Sequence, residues 1–88
     1  LKEIETDGQI LGRILGGIRR NKKSKDKKWT IAYVAEQAEL DENFVEKFLR
    51  EGKKEPQFVT IAKLAEALEL SIDDLWEEYK KERYPSGE

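Results

Sequence analysis

The 88-residue chain has no cysteine and no histidine. It therefore cannot form a disulfide staple or a thiolate or imidazole metal site, and it lacks the residues that most often serve as catalytic base and nucleophile. No glycine-rich loop follows a strand to cradle a phosphate, so neither an enzyme nor a cofactor-binding protein is expected. No strand-like alternation, internal repeat or low-complexity tract is present. Apolar runs last only a few residues, far short of the roughly 20 that span a bilayer, and no signal-peptide pattern opens the chain. These absences predict a cytoplasmic domain with no membrane partner. Methionine is missing too, even at position 1, which predicts a trimmed chain or a piece of a longer one. The length suits one domain over residues 1–88, with a modest core because small domains bury little more than half of their unfolded surface.

Net charge is −2, which argues against a general polyanion binder, but the charge is unevenly spread. Residues 13–30 hold eight cations (Arg13, Arg19, Arg20, Lys22, Lys23, Lys25, Lys27, Lys28) against Asp26, while residues 31–88 hold eight cations and fifteen acids. A basic segment on an acidic body is a physical hint about partners.

Apolar periodicity predicts five helices. Thr6 and Gln9 have the spacing of a capping box. Ile10, Leu11, Ile14, Leu15 and Ile18 then share one face, giving a first helix over roughly Asp7 to Lys22. Gly12, Gly16 and Gly17 lie inside it, each costing about 1 kcal/mol against alanine, which suggests close packing on a neighbour. Asn21–Lys28 has nothing apolar to bury and reads as a polar loop. Thr30 is a good cap for a second helix facing inward through Ile31, Val34, Ala35 and Ala38; Asp41 caps a third with Phe44, Val45, Phe48 and Leu49 as its stripe. Gly52 suits a left-handed stop, and Pro56 the start of a fourth helix that carries Phe58, Ile61, Ala62, Leu64, Ala65 and Leu68. Ser71 with Asp74 opens a fifth bearing Ile72, Leu75, Trp76 and Tyr79 and reaching to about Arg83. The core is expected over about 7–79, with a flexible tail at 84–88. Asp73, Asp74, Glu77 and Glu78 read as helix-dipole charges rather than a catalytic pair. Trp29 reads as a lid over the basic loop.

The second and third helices are short and nearly abutting, the arrangement of a helix-turn-helix. Leu11-Gly12-Arg13-Ile14, Ile18-Arg19, Thr30, Val34-Ala35-Glu36 and Gly52-Lys53-Lys54-Glu55-Pro56 together resemble the Cro/C1-type (XRE) family. So does Ile61-Ala62-Lys63-Leu64-Ala65-Glu66-Ala67-Leu68 followed by Ser71-Ile72-Asp73-Asp74-Leu75. The resemblance runs from Leu11 to Trp76. It implies an all-α, lambda repressor-like five-helix bundle that binds double-stranded DNA as a sequence-specific transcriptional regulator, with the third helix (about 42–51) in the major groove. On that footing Asn43, Glu46, Lys47 and Arg50 are the base-side candidates. Thr30, Lys53, Lys54 and the basic segment (Arg19, Arg20, Lys22, Lys23, Lys25, Lys27, Lys28) are the phosphate-side candidates. A homodimer is expected, because one such unit buries little surface on DNA. Trp76, Tyr79 and Tyr84 are its candidate contacts, although Trp76 also suits the core, and Tyr79 and Tyr84 could instead pack on their own chain.

Three positions depart from the family pattern. Ile31 stands where glutamine usually follows the capping Thr or Ser, Glu39 where the turn usually has glycine, and Arg50 where glutamate often precedes the helix end. With Glu42 and Glu46 on the third helix, they raise an alternative: a protein-interaction module, antitoxin-like, with weakened or lost DNA binding. The discriminating feature is whether the basic segment and Lys53 and Lys54 share a face with the third helix.

Overall fold

The computed structural model describes residues 5–52 and 55–85. Five helices follow one another: α1 (Asp7–Lys25), α2 (Ile31–Ala38), α3 (Glu42–Glu51), α4 (Phe58–Ala67) and α5 (Ile72–Arg83). No strand occurs among the described residues, and the all-α five-helix bundle expected from periodicity is present. α1 packs on α3 and α5, and α2 fits between α3 and α4. The shared core contains Leu15, Val34, Val45, Phe48, Leu64 and Leu68, all virtually without exposed surface. Each fully buried aliphatic or aromatic side chain contributes about 1.5–3 kcal/mol by leaving water.

Short polar side chains start four of the helices. Thr6 accepts from the Gln9 N–H at 3.1 Å while Gln9 Oε1 accepts from the Thr6 N–H at 2.9 Å, the reciprocal box its spacing predicts. Thr30, Asp41 and Ser71 each accept from the backbone N–H three residues on. These caps satisfy donors that no intrahelical carbonyl can reach.

α2 and α4 end alike. The Leu40 N–H reaches the Ala35 carbonyl and the Glu39 N–H the Glu36 carbonyl; Leu70 and Glu69 repeat this on Ala65 and Glu66. That is the Schellman motif, which needs a left-handed residue after the helix. Glu39 (φ 58°) and Glu69 (φ 61°) fill it where glycine is the easier fit.

Several expectations are corrected. α1 continues to Lys25, so residues 21–25 of the expected loop are helical. Lysine and arginine are good helix formers, and Lys22, Lys23 and Lys25 sit in the last turn where the helix dipole favours cations. Pro56 lies outside α4, which begins at Phe58 after Gln57. Gly52 has positive φ (80°) but an extended ψ (168°), not a left-handed helical turn. That backbone conformation is all but reserved to glycine, and a Cβ there would also lie 2.5 Å from the Gln9 Cα and the Gly8 oxygen, so the local backbone and the approach of α1 both demand glycine. Phe58, Ile72 and Trp76 are not core residues: they are 69%, 42% and 51% exposed. Residues 86–88 of the expected tail lie outside the described residues.

Candidate nucleic-acid interface

α2 and α3 are joined by Glu39, Leu40 and Asp41 alone. The left-handed Glu39 turns the chain, Leu40 packs against the core, and Asp41 starts α3. α3 is strongly two-faced. Val45, Phe48 and Leu49 are buried, whereas Glu42, Asn43, Glu46, Lys47 and Arg50 are all exposed.

What seats α3 is backbone against backbone. A Cβ on Gly12 would collide with the Phe48 carbonyl oxygen, and one on Gly16 would sit 3.0 Å from the Leu49 oxygen. These two glycines let α1 come close, as their place inside a helix suggested. Gly17 differs: a Cβ there would meet nothing nearer than an Arg20 nitrogen at 3.9 Å.

Between α1, the start of α2 and α3 lies an open hollow of about 570 Å³, whose lining includes Arg13, Arg19, Arg20, Ile31, Glu46 and Arg50. Part of the basic segment thus shares a side with the outer face of α3. Arg13 is committed to Glu5 and, at 2.7 Å, to Glu82; these two carboxylates hold its pKa above the ordinary arginine value. Arg19 donates from Nη1 to the Trp29 carbonyl at 2.9 Å, and its Nε is buried without a partner among the described residues. Burial, then the neighbouring Arg20 charge, lowers the Arg19 pKa. Arg19 is therefore a strut under the α1–α2 connection as much as a surface cation. Arg20, Lys23 and Lys47 have no acidic partner within ion-pairing distance among the described residues. Arg50 is loosely paired with Glu51 at 3.8 Å.

The rest of the basic segment lies elsewhere. Lys22 donates to Glu69 at 3.3 Å and stands 4.6 Å from the Trp29 ring centroid. Lys25 lines a second hollow with Glu77, Glu78 and Lys22, on the side facing α5. Lys28 lies 5.6 Å from the rings of both Trp29 and Tyr33, and Lys27 is exposed in the turn. Trp29 is 6% exposed and packs edge-on against Tyr33, so it is a core residue roofed by lysines rather than a stacking platform. Thr30 Oγ1 accepts from the Tyr33 N–H, which leaves its hydroxyl hydrogen free to donate outward. Lys53 and Lys54 lie outside the described residues.

Of the proposed dimer residues, Tyr79 is turned inward: its hydroxyl donates to Asp7 Oδ1 at 2.6 Å, and Arg83 bonds both groups. Trp76 stacks on Tyr79 and is half exposed, as is Tyr84. Sequence reading missed what surrounds them. Among the described residues, all five exposed large hydrophobic side chains (Phe58, Val59, Ile72, Trp76 and Tyr84) line two adjoining hollows formed chiefly by α4 and α5. Val59 was the available signal, since at 3.6 residues per turn it falls opposite the stripe of Ile61, Leu64, Ala65 and Leu68.

No helix among the described residues is long and apolar enough to cross a membrane. Against known proteins, the model of one family, the Cro/C1-type HTH DNA-binding domain, matches residues 21–81. No curated protein and no solved structure matches the chain.

Proposed function

The chain belongs to the Cro/C1-type helix-turn-helix DNA-binding domain family, and we propose that it is the DNA-reading part of a sequence-specific transcriptional regulator, with α3 as the reading helix. The observation that carries this is the exposure of Asn43, Glu46, Lys47 and Arg50 together on one face of a helix whose other face is buried. An α-helix is about 10–12 Å across with its side chains, and the major groove is about 12 Å wide. Asn43 is suited to adenine, Lys47 and Arg50 to guanine, and Glu46 to the cytosine amino group. Thr30, capping the neighbouring helix, can donate its hydroxyl to a phosphate.

A dimer completes the reading. Contiguous apolar surface on a small soluble domain marks an interaction site, and the α4–α5 patch lies on elements other than α3. A two-fold pair joined there would leave both reading helices free for half-sites about 34–36 Å apart, or a multiple of that.

Titration into random-sequence duplex DNA at low and moderate salt tests the proposal, beside a Lys47→Ala/Arg50→Ala variant. Expected are binding that weakens steeply with salt and a clear loss in the variant. If the folded wild-type chain leaves DNA unbound at low salt, the reading is wrong and the fold serves a protein partner.

A further inference from the structure

The basic segment is sorted by face, and the sorting follows the turns of α1. Gln9, Gly12 and Gly16 climb one side of the helix past Gly52, Phe48 and Leu49. Arg20 comes next on that side and shares the hollow with Arg50 and with Glu5, Glu46 and Glu51, none of which pairs with it. Lys23 follows, seven residues beyond Gly16, which at 3.6 residues per turn returns it to within about 20° of the same direction. It stands about 10 Å further along the axis, past the α1–α3 crossing. The opposite side is different: there Lys22 is paired with Glu69, and Lys25 lies among Glu69, Asp74, Glu77 and Glu78. On that side Lys22 is ion-paired and Lys25 lines a hollow rich in acids. The other keeps Arg20 and Lys23 without an ion-paired acid among the described residues, on the side of the reading helix.

We infer that the end of α1 is a phosphate-binding arm, in which Arg20 and Lys23 contact the DNA backbone beside the groove that α3 enters. Lys22 instead ties the arm to Glu69 in the α4–α5 joint, and Lys25 faces the acids of α5. The inference rests on the DNA reading above and adds to it a second contact region with a different character. Arg20 and Lys23 would add affinity for any sequence, whereas the outer face of α3 selects among sequences. A helical mount suits the role, because the cations are held in place before binding rather than ordered by it.

The test uses the whole chain and three charge-neutralised forms, titrated with one duplex across a range of salt: Arg20→Gln/Lys23→Gln, Lys22→Gln/Lys25→Gln and Lys47→Ala/Arg50→Ala. Circular dichroism confirms that each form is folded. Each phosphate contact contributes about 0.9 to the slope of log affinity against log salt. The Arg20/Lys23 form is therefore expected to have a slope shallower by about 1.8, with its ranking of different duplexes unchanged. The Lys22/Lys25 form should keep the wild-type slope. If the Arg20/Lys23 form keeps the full slope, or the Lys22/Lys25 form loses as much, the arm is overturned while DNA binding by α3 stands. If the wild-type chain does not bind DNA at all, both readings fail together.

Discussion

Gly12 faces the carbonyl oxygen of Phe48 with no room for a side chain between them, and this contact brings α1 against the helix that carries the exposed polar face. Replacing Gly12 by alanine must push α1 away from α3 or bend one of them. A loss of about 1–3 kcal/mol is expected, as for other overpacked sites, read from urea midpoints. Gly17 is the control. With open space where its Cβ would go, Gly17→Ala should gain about 0.5–1 kcal/mol from helix propensity. Equal effects of the two changes would mean the crossing is not as tight as the backbone positions imply.

Glu39 holds the left-handed position that closes the turn between α2 and α3. A residue with a Cβ costs roughly 1–2 kcal/mol there, partly offset by the greater freedom glycine loses on folding. Glu39→Gly is expected to raise stability by up to about 1 kcal/mol. Thermal melts of the two proteins decide it; an unchanged or lower midpoint counts against strain at this turn.

The Asp7–Tyr79–Arg83 cluster ties the start of α1 to the end of α5. The hydrogen bond from Tyr79, then that from Arg83, lowers the Asp7 pKa. A carboxylate whose pKa is lower folded than unfolded stabilises the protein above its unfolded value, near 3.9. That contribution is lost as pH falls from there through the folded value. Tyr79 behaves in the opposite sense. Its pKa is raised chiefly by the bond to Asp7, so its contribution is complete below about pH 10 and is lost as pH climbs through the raised value. Stability measured by denaturant at pH 2.5–5 should therefore fall less steeply for Asp7→Asn than for the wild-type chain. Parallel curves would show that the cluster does not couple to folding.

The α4–α5 patch predicts self-association. Sedimentation of the wild-type chain should give a monomer–dimer equilibrium, and Trp76→Glu should shift it to monomer by placing a charge amid Phe58, Ile72 and Tyr84. Circular dichroism should show the variant still folded, because Trp76 is half exposed in the monomer. A wild-type chain that stays monomeric at high concentration would assign the patch to another partner.

Much of this fold is written in local chemistry. Thr6, Thr30, Asp41 and Ser71 cap their helices because a short side-chain oxygen meets an unpaired N–H three residues on, and sequence distance alone sets that geometry. Gly12, Gly16 and Gly52 were legible as special positions, though only the crossing of α1 with α3 says what each one meets. The outer face of α3 follows from its period, which is why all four base-side candidates are exposed. Less legible was anything decided by the meeting of distant elements. Arg19 and Arg20 are neighbours in sequence and both line the hollow beside α3, yet Arg19 is tied to the Trp29 carbonyl and partly buried while Arg20 is exposed. Trp76 matches a core position by spacing, but α4 and α1 leave it uncovered. The helical end of α1 was hidden because a cationic run lacks the apolar signal that marks a helix, even when its residues favour one.

The glycine seat of α3 also separates two jobs within ten residues. Its inner side is held by main-chain contact and by Val45, Phe48 and Leu49, all of them buried. Asn43, Glu46, Lys47 and Arg50 take no part in that seat, and few rules of packing constrain what stands in their places. Those positions can be exchanged as a set while the scaffold beneath keeps its shape, so on the proposed reading one bundle can be given a new address on DNA by rewriting four letters of a single helix.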